Sequence, residues 1–286
     1  MCPDAHNNAW SQWIARVGLS LVVFASLAFG SEDRLAPPPA APAGNLFKAH
    51  SHNDYEHERP LLDALEHRFS SVEADIWLVG KEILVAHDEG KYKGSLKQLY
   101  LDPLRERIDQ HGSVHGGGRP FWLWIDIKDG RDELRPVLHA LLKNYSMLTI
   151  FSGSETKSGP VTVILTGDAK SKEAYVQEFD PRYACRDSND YSPDDPPADA
   201  RWPWYALKWS NYIRWSGEEE IQPAESEKLT RLVQDIHAKG RKIRFWSAPD
   251  HERSWALLLK AGVDLINTDK LPELNAFLSK QSVPPN

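Results

Sequence analysis

Short apolar runs of strand character alternate with helix-length segments from residue 46 to residue 278, and this rhythm most narrows what the chain can fold into. Runs at 46–49, 71–78, 82–87, 121–127, 161–165, 205–209, 242–246 and 263–267 read as strands. Between them lie helical patterns. Pro60 opens one, with Leu61, Leu62, Ala64 and Leu65 apolar; others cover 95–108, 132–142, 254–260 and 271–278. Leu229, Leu232, Val233 and Ile236 fall at i, i+3, i+4 and i+7, which marks one stripe of a helix that stops near Gly240. The segment 180–203 is dense in Asp and Pro and reads mostly as loop. Repeated strand-then-helix units imply a parallel sheet, and nearly eight of them favour a single-domain α/β fold, a (β/α)8 TIM-type barrel, over an open doubly wound sheet. No Gly-rich nucleotide loop follows the first strand, which weakens the open-sheet reading further.

Composition sets outer limits. A hydrophobic fraction of 41% allows a sizeable core, and a net charge of -7 argues against a nucleic-acid partner, which calls for a basic surface. It does not exclude a phosphate-bearing substrate, because a bound cation reverses the local field. Two cysteines, Cys2 and Cys185, rule out a disulfide scaffold. Arg16 precedes an apolar run at 17–29, with Ala28 and Gly30 at −3 and −1 of a cleavage site. Residues 1–30 therefore read as a secretory signal peptide, and the protein as exported, secreted or periplasmic; the alternative is an uncleaved membrane anchor. Residues 31–44 are rich in Pro and Ala and read as a linker, so the barrel domain is expected at 45–286.

In a barrel, chemistry gathers where strands end on the C-terminal face. His52 follows the first strand. Glu73 and Asp75 lie at i and i+2 and point to one side of theirs. His87 and Asp88 end the next run, and Asp126 and Lys128 repeat the i, i+2 pattern after 121–125. Two carboxylates inside a strand are costly unless a cation lies between them. Carboxylates converging from two strands make an oxygen-donor site suited to one divalent cation, Mg²⁺ or Ca²⁺, rather than zinc. Histidines beside it suit general acid and base work, and Lys128 offers a positive charge to a phosphate oxygen. His50, two residues before His52, is an alternative first histidine. His57, His67, His111, His115, His237 and His251 read as solvated, and Trp209 and Asp269 as secondary pocket candidates.

Several motifs together resemble the glycerophosphodiester phosphodiesterase and phosphatidylinositol phospholipase C-like superfamily. They are His52-Asn53-Asp54 with Pro60, Glu73-x-Asp75, His87-Asp88, Asp126-Ile127-Lys128, the 240–246 strand, Ala261-Gly262-Val263-Asp264 and Thr268-Asp269. The phrases AHSHNDY, PLLDAL and VEADIWL are most similar to its branch named for altered inheritance of mitochondria protein 6. The resemblance implies that His52 and His87 are the catalytic pair and that Glu73, Asp75 and Asp126 hold one divalent metal. It implies that Lys128 binds the phosphate and that Trp246 walls the pocket. The implied partner is a small-molecule or lipid phosphodiester, with transient membrane-surface contact. The chain departs from the superfamily where His-Arg-Gly becomes His-Asn-Asp, which removes an arginine that contacts phosphate, and where Leu61 and Leu62 follow Pro60. Two other functions compete. One is a His-x-His metal hydrolase using His50 and His52, and the other a barrel that binds a lipid or glycan without turnover.

Overall fold

The computed structural model describes residues 48–281. The expected signal peptide, linker and first residues of the domain lie outside that range. In chain order the elements are β1 (Ala49–Ser51), α1 (Leu62–Glu66), β2 (Ser71–Val79), β3 (Glu82–Val85), β4 (Gly94–Ser95), α2 (Asp102–His111), β5 (Phe121–Ile127) and α3 (Leu134–Leu142). Then come β6 (Ile150–Ser152), β7 (Glu155–Lys157), β8 (Val161–Gly167), α4 (Ala169–Glu178), β9 (Ala184–Ser188), β10 (Trp204–Lys208) and α5 (Trp209–Tyr212). The last are α6 (Pro223–Ala238), β11 (Lys242–Trp246), α7 (Glu252–Ala261), β12 (Leu265–Thr268) and α8 (Leu271–Gln281).

Strands β1, β2, β5, β8, β9, β10, β11 and β12 run parallel in that order, and β1 pairs with both β2 and β12. The ring is closed: a (β/α)8 barrel. Closure leaves no free edge on these strands. Alternation divides their residues between two cores. Outward residues such as Val72, Leu123, Ile125, Val163, Leu207 and Ile243 are fully buried under the helices. Inward ones fill the barrel: Trp124, Ile164, Cys185, Trp204, Ala206 and Leu265 pack together, with Trp124 and Trp204 edge to face at 5.3 Å. The helices cover the outside through apolar stripes, as in α6, whose buried residues are Leu229, Leu232, Val233 and Ile236.

The barrel expected from the sequence is therefore present, but two of its strands differ. The 82–87 run forms no stave of the barrel. Its residues Glu82–Val85 pair antiparallel with the upper half of β2, Ile76 opposite Val85, so β2 and β3 make a hairpin that rises above the mouth. Gly80, at a positive φ of 62°, makes the tight reversal. The stave missed by sequence reading is β9, inside the segment read as loop. Its sequence ACRDS lacks the apolar run that signals a strand: Cys185 packs in the barrel interior, Arg186 lies over the Trp202 ring, and Asp187 is paired with buried Lys172 of α4. Among the described residues no helix separates β9 from β10. Two smaller corrections concern helix 95–108, where a wide five-residue turn at Lys97–Leu101 precedes α2, and Trp209, which opens α5 rather than ending a strand.

Candidate active site at the mouth of the barrel

Strand register builds the site. Asp75 on β2 and Asp126 on β5 are direct partners in the parallel pairing, so their carboxylates stand side by side on the inner face at one strand spacing. Glu73 sits one inward position below Asp75, beside Trp124. Across the barrel, β11 sends Lys242, Arg244 and Trp246 inward at successive levels. The β3 return brings His87 back to the mouth; Ala86 N–H donates to the Asp75 carbonyl at 3.0 Å, and the Trp77 indole donates to the Ala86 carbonyl at 3.0 Å. A cavity of about 680 Å³ opens there. Its walls include His52, Glu73, His87, Asp126, Lys128 and Trp246, all expected from the sequence. Asp75 lies just beneath, bonded to Lys128. Trp209 is buried against Trp215 and Phe245 instead.

The two histidines of the Ser51-flanked pair have separate environments. His50 is fully buried. Its Nδ1 lies 2.8 Å from Ser71 Oγ, and its Nε2 lies 3.4 Å from Arg244 Nη1. Burial, with help from the Arg244 charge, pushes its imidazole down to about 4, so it is neutral near pH 7. His52 is part-exposed and faces the cavity. Burial disfavours its charged form, but the Asp269 carboxylate at 3.0 Å from Nδ1 and Glu73 at 3.7 Å from Nε2 outweigh this and raise it. His87, mostly exposed, also turns Nδ1 to a carboxylate, Asp88, at 3.0 Å. In both cavity histidines a carboxylate on Nδ1 fixes the ring and leaves Nε2 as the nitrogen for chemistry, with Glu73 3.7 Å from that of His52.

The carboxylates share too few cations. Arg244 Nη2 donates to Glu73 Oε1 at 2.8 Å. Burial works against the Glu73 charge, yet this guanidinium and the neighbouring histidines hold its carboxyl well below the usual range. Lys128 Nζ bridges Asp75 Oδ2 at 3.0 Å and Asp126 Oδ2 at 3.1 Å, while Tyr55 O–H donates to Asp75 Oδ2 at 2.7 Å. Even so, burial and the adjacent Asp126 and Glu73 charges push Asp75 up to about 7, and burial with Glu73 raises Asp126. The same carboxylates outweigh desolvation at Lys128 and push it up to about 12. Three carboxylates thus face two permanent cations.

Glu73 Oε2, Asp75 Oδ1 and Asp126 Oδ1 are each buried with no hydrogen-bond partner among the described residues, although Glu73 Oε2 lies 3.6 Å from His50 Nε2 and 3.7 Å from His52 Nε2. One unused oxygen on each of three acidic side chains is a donor set of the kind a hard divalent cation takes. Lys128 holds the facing oxygens of Asp75 and Asp126, and among the described residues no three His, Cys, Asp or Glu side chains are gathered at ligating spacing.

Sequence reading passed over several contributors. Arg244 lies two residues before Trp246, so the parity that flagged Glu73 with Asp75 also flags it. Thr166, Gly167, Asp168 and Asn189 line the wall formed by the ends of β8 and β9, which only the strand order reveals. His115, read as solvated, is buried with Nε2 2.7 Å from the Phe69 carbonyl, and His251 caps α7 through Ser254.

Comparison with known proteins agrees with this architecture. A family described as an AIM6-like phosphodiesterase domain matches residues 45–184, and the glycerophosphoryl diester phosphodiesterase family matches residues 242–272. An altered inheritance of mitochondria protein 6 homolog from Arthroderma benhamiae is 26% identical over 255 residues, spanning 77% of this chain and 80% of the relative. The protein of that name from Saccharomyces cerevisiae strain RM11-1a is 27% identical, over 79% of this chain and 70% of the relative. Among solved structures, a glycerophosphodiester phosphodiesterase from Parabacteroides distasonis shares the fold with a TM-score of 0.53 at 13% identity, over 84% of this chain and all of that one. A phosphodiesterase from Oleispira antarctica, solved in complex with the product sn-glycerol-3-phosphate, gives 0.51 at 14%, over 83% and 98%. In sequence the chain is thus similar to the altered inheritance of mitochondria protein 6 proteins and, over its 242–272 segment, to the glycerophosphoryl diester phosphodiesterase family, and it shares its fold with solved glycerophosphodiester phosphodiesterases.

Proposed function

We propose that the protein is a metal-dependent phosphoric diester hydrolase acting on a glycerophosphodiester or a lysophospholipid-like substrate. The observation that carries this reading is the pairing of two carboxylate-oriented histidines with a buried, cation-poor trio of acids in one cavity. Glu73, Asp75 and Asp126 would hold one divalent cation, Mg²⁺ or Ca²⁺, which supplies charge neutralisation and Lewis acidity toward the phosphoryl oxygens. Lys128 adds a fixed positive charge for a non-bridging oxygen. His52, its Nδ1 proton held by Asp269, accepts a proton at Nε2 from the attacking group or returns one to the leaving alkoxide. His87, oriented by Asp88, does the complementary transfer. The attacking group is water, or a neighbouring substrate hydroxyl that yields a cyclic phosphate. Trp246, with Lys208 Nζ 5.2 Å above its ring, forms an amphipathic wall beside the leaving group.

The rival His-x-His arrangement gains nothing from the geometry, because His50 is spent on Ser71 and Arg244 rather than facing the cavity. The reading is tested by assaying glycerophosphocholine, glycerophosphoinositol and lysophosphatidylcholine with Mg²⁺, with Ca²⁺, and after EDTA. Release of an alcohol that stops on chelation and returns with either cation supports it. Full activity in EDTA refutes the metal role, and no release from any diester refutes the hydrolase.

A further inference from the structure

We infer that Arg244 is the anchor for a phosphate oxygen at this site, delivered from strand β11 and held in place by His50 and Glu73. The inference rests on the hydrolase reading and deepens it. The loop after β1 places Asn53 and Asp54 beside His52, and its arginine, Arg59, is paired with Asp63 and Glu66, while the guanidinium of Arg244 lines the cavity from β11, two strands round the ring from β1. Its three nitrogens are in different states. Nη2 donates to Glu73 Oε1 at 2.8 Å. Nη1 lies 3.4 Å from His50 Nε2, and His50 is fixed through Nδ1 to Ser71. Nε is buried and has no hydrogen-bond partner among the described residues. The guanidinium plane rests 4.1 Å from the centre of the Trp124 ring, itself edge-on to His50 at 5.7 Å.

A fully positive fork with two of its nitrogens already committed cannot turn freely. What it offers the cavity is a fixed set of remaining N–H groups on a guanidinium anchored by its ion pair with Glu73. Planar N–H donors at fixed angle match the tetrahedral oxygens of a phosphate better than an ammonium does. Lys128 follows β5, across the barrel from β11, and both cations line the same cavity, so a phosphate held between them meets one from each side. The arrangement also accounts for His50, a buried polar residue that lies beneath the cavity rather than in it. It positions the arginine and takes no part in proton transfer.

The test measures binding of inorganic phosphate by calorimetry to the wild-type protein, Arg244→Lys, Arg244→Gln and His50→Asn, with kcat and KM taken on the same diester. Removing the charge beside buried Glu73 risks unfolding in Arg244→Gln, and Arg244→Lys guards against that, because it keeps the charge and removes the fork. The inference expects phosphate affinity to fall at least tenfold in Arg244→Lys and KM to rise more than kcat falls. His50→Asn is expected to follow in the same direction with a smaller change. Phosphate affinity unchanged in folded Arg244→Lys would overturn the inference while leaving the hydrolase standing, as would failure of the wild-type protein to bind phosphate. Loss of kcat alone, with phosphate binding intact, would make Arg244 a structural counter-ion of Glu73 and would equally overturn it.

Discussion

At Gly167 the site has no spare room. Its φ is +82°, and a Cβ there would overlap Asp126 Oδ1 and the backbone of Ile127. Gly167→Ala is therefore expected to displace the Asp126 carboxylate and lower kcat/KM at least tenfold, with a folded protein by circular dichroism. Unchanged kinetics would show that Asp126 Oδ1 has no part in turnover. His52→Ala and His87→Ala should each cost about 10²–10⁴ in kcat, the usual worth of a positioned acid or base. Asp269→Asn should cost less, because it loosens the His52 ring without removing it. Cys185 makes a contrasting prediction. It is fully buried, and burial pushes its thiol up to about 12, so the native protein should not react with a thiol reagent at pH 8 until it is unfolded. Strand parity alone made the acids and Lys128 legible in the sequence, since i and i+2 residues share a face. Arg244 obeyed the same parity, but the strand KIRFW holds no acidic residue to pair with it; its partner Glu73 is 171 residues away. The resemblance favoured His52 over His50, but the residues alone left the choice open, because it depends on which of them the closing strands cover.

The elements around the mouth are braced by buried polar groups. Asp54 is fully buried in the β1–α1 loop, where it accepts from Ser51 Oγ at 2.7 Å, the Leu61 N–H at 2.6 Å and Tyr100 O–H at 2.9 Å. These bonds hold the segment that carries His52, and they support Leu61 at an unusual φ of 63°. Asp54→Ala leaves several donors without a partner and is expected to cost about 1–3 kcal/mol. At roughly 2–4 °C per kcal/mol for a domain near this size, the melting temperature should drop by several degrees, read by calorimetry. Asp250 does similar work at the far side, accepting from Thr268 Oγ1 at 3.0 Å, Asp269 N–H at 3.1 Å and Trp255 Nε1 at 2.9 Å. It steadies the residue that orients His52. Element by element, the sequence showed every stave whose outward and inward positions are both apolar, such as 121–127 and 161–165. It hid β9, whose alternate positions Ala184, Arg186 and Ser188 lack the large apolar residues that mark β2 and β11, and whose Asp187 is paired to buried Lys172 at 2.6 Å. It misassigned β3, because an antiparallel hairpin strand and a barrel stave have the same apolar run, and only the pairing partner tells them apart.

For the molecule as a whole, closure of eight parallel strands explains why residues spread from 52 to 269 meet at one mouth. The barrel places every strand end on the same rim, so a site can be assembled from β1, β2, β5, β8, β11 and the loop after β12, segments far apart in sequence. No helix among the described residues is long and apolar enough to cross a membrane. If the barrel is self-sufficient, protein beginning at residue 45 should unfold in one cooperative transition and retain the kcat of a longer chain; a large loss would assign residues 31–44 a part in the fold. The most direct test of the central claim is hydrolysis of bis(p-nitrophenyl) phosphate by the wild-type protein and by His87→Ala, each with Mg²⁺ or Ca²⁺ and again in EDTA. Metal-dependent turnover by the wild type that falls at least a hundredfold in the folded variant is the predicted result. Turnover that survives both EDTA and the loss of His87 would contradict the account.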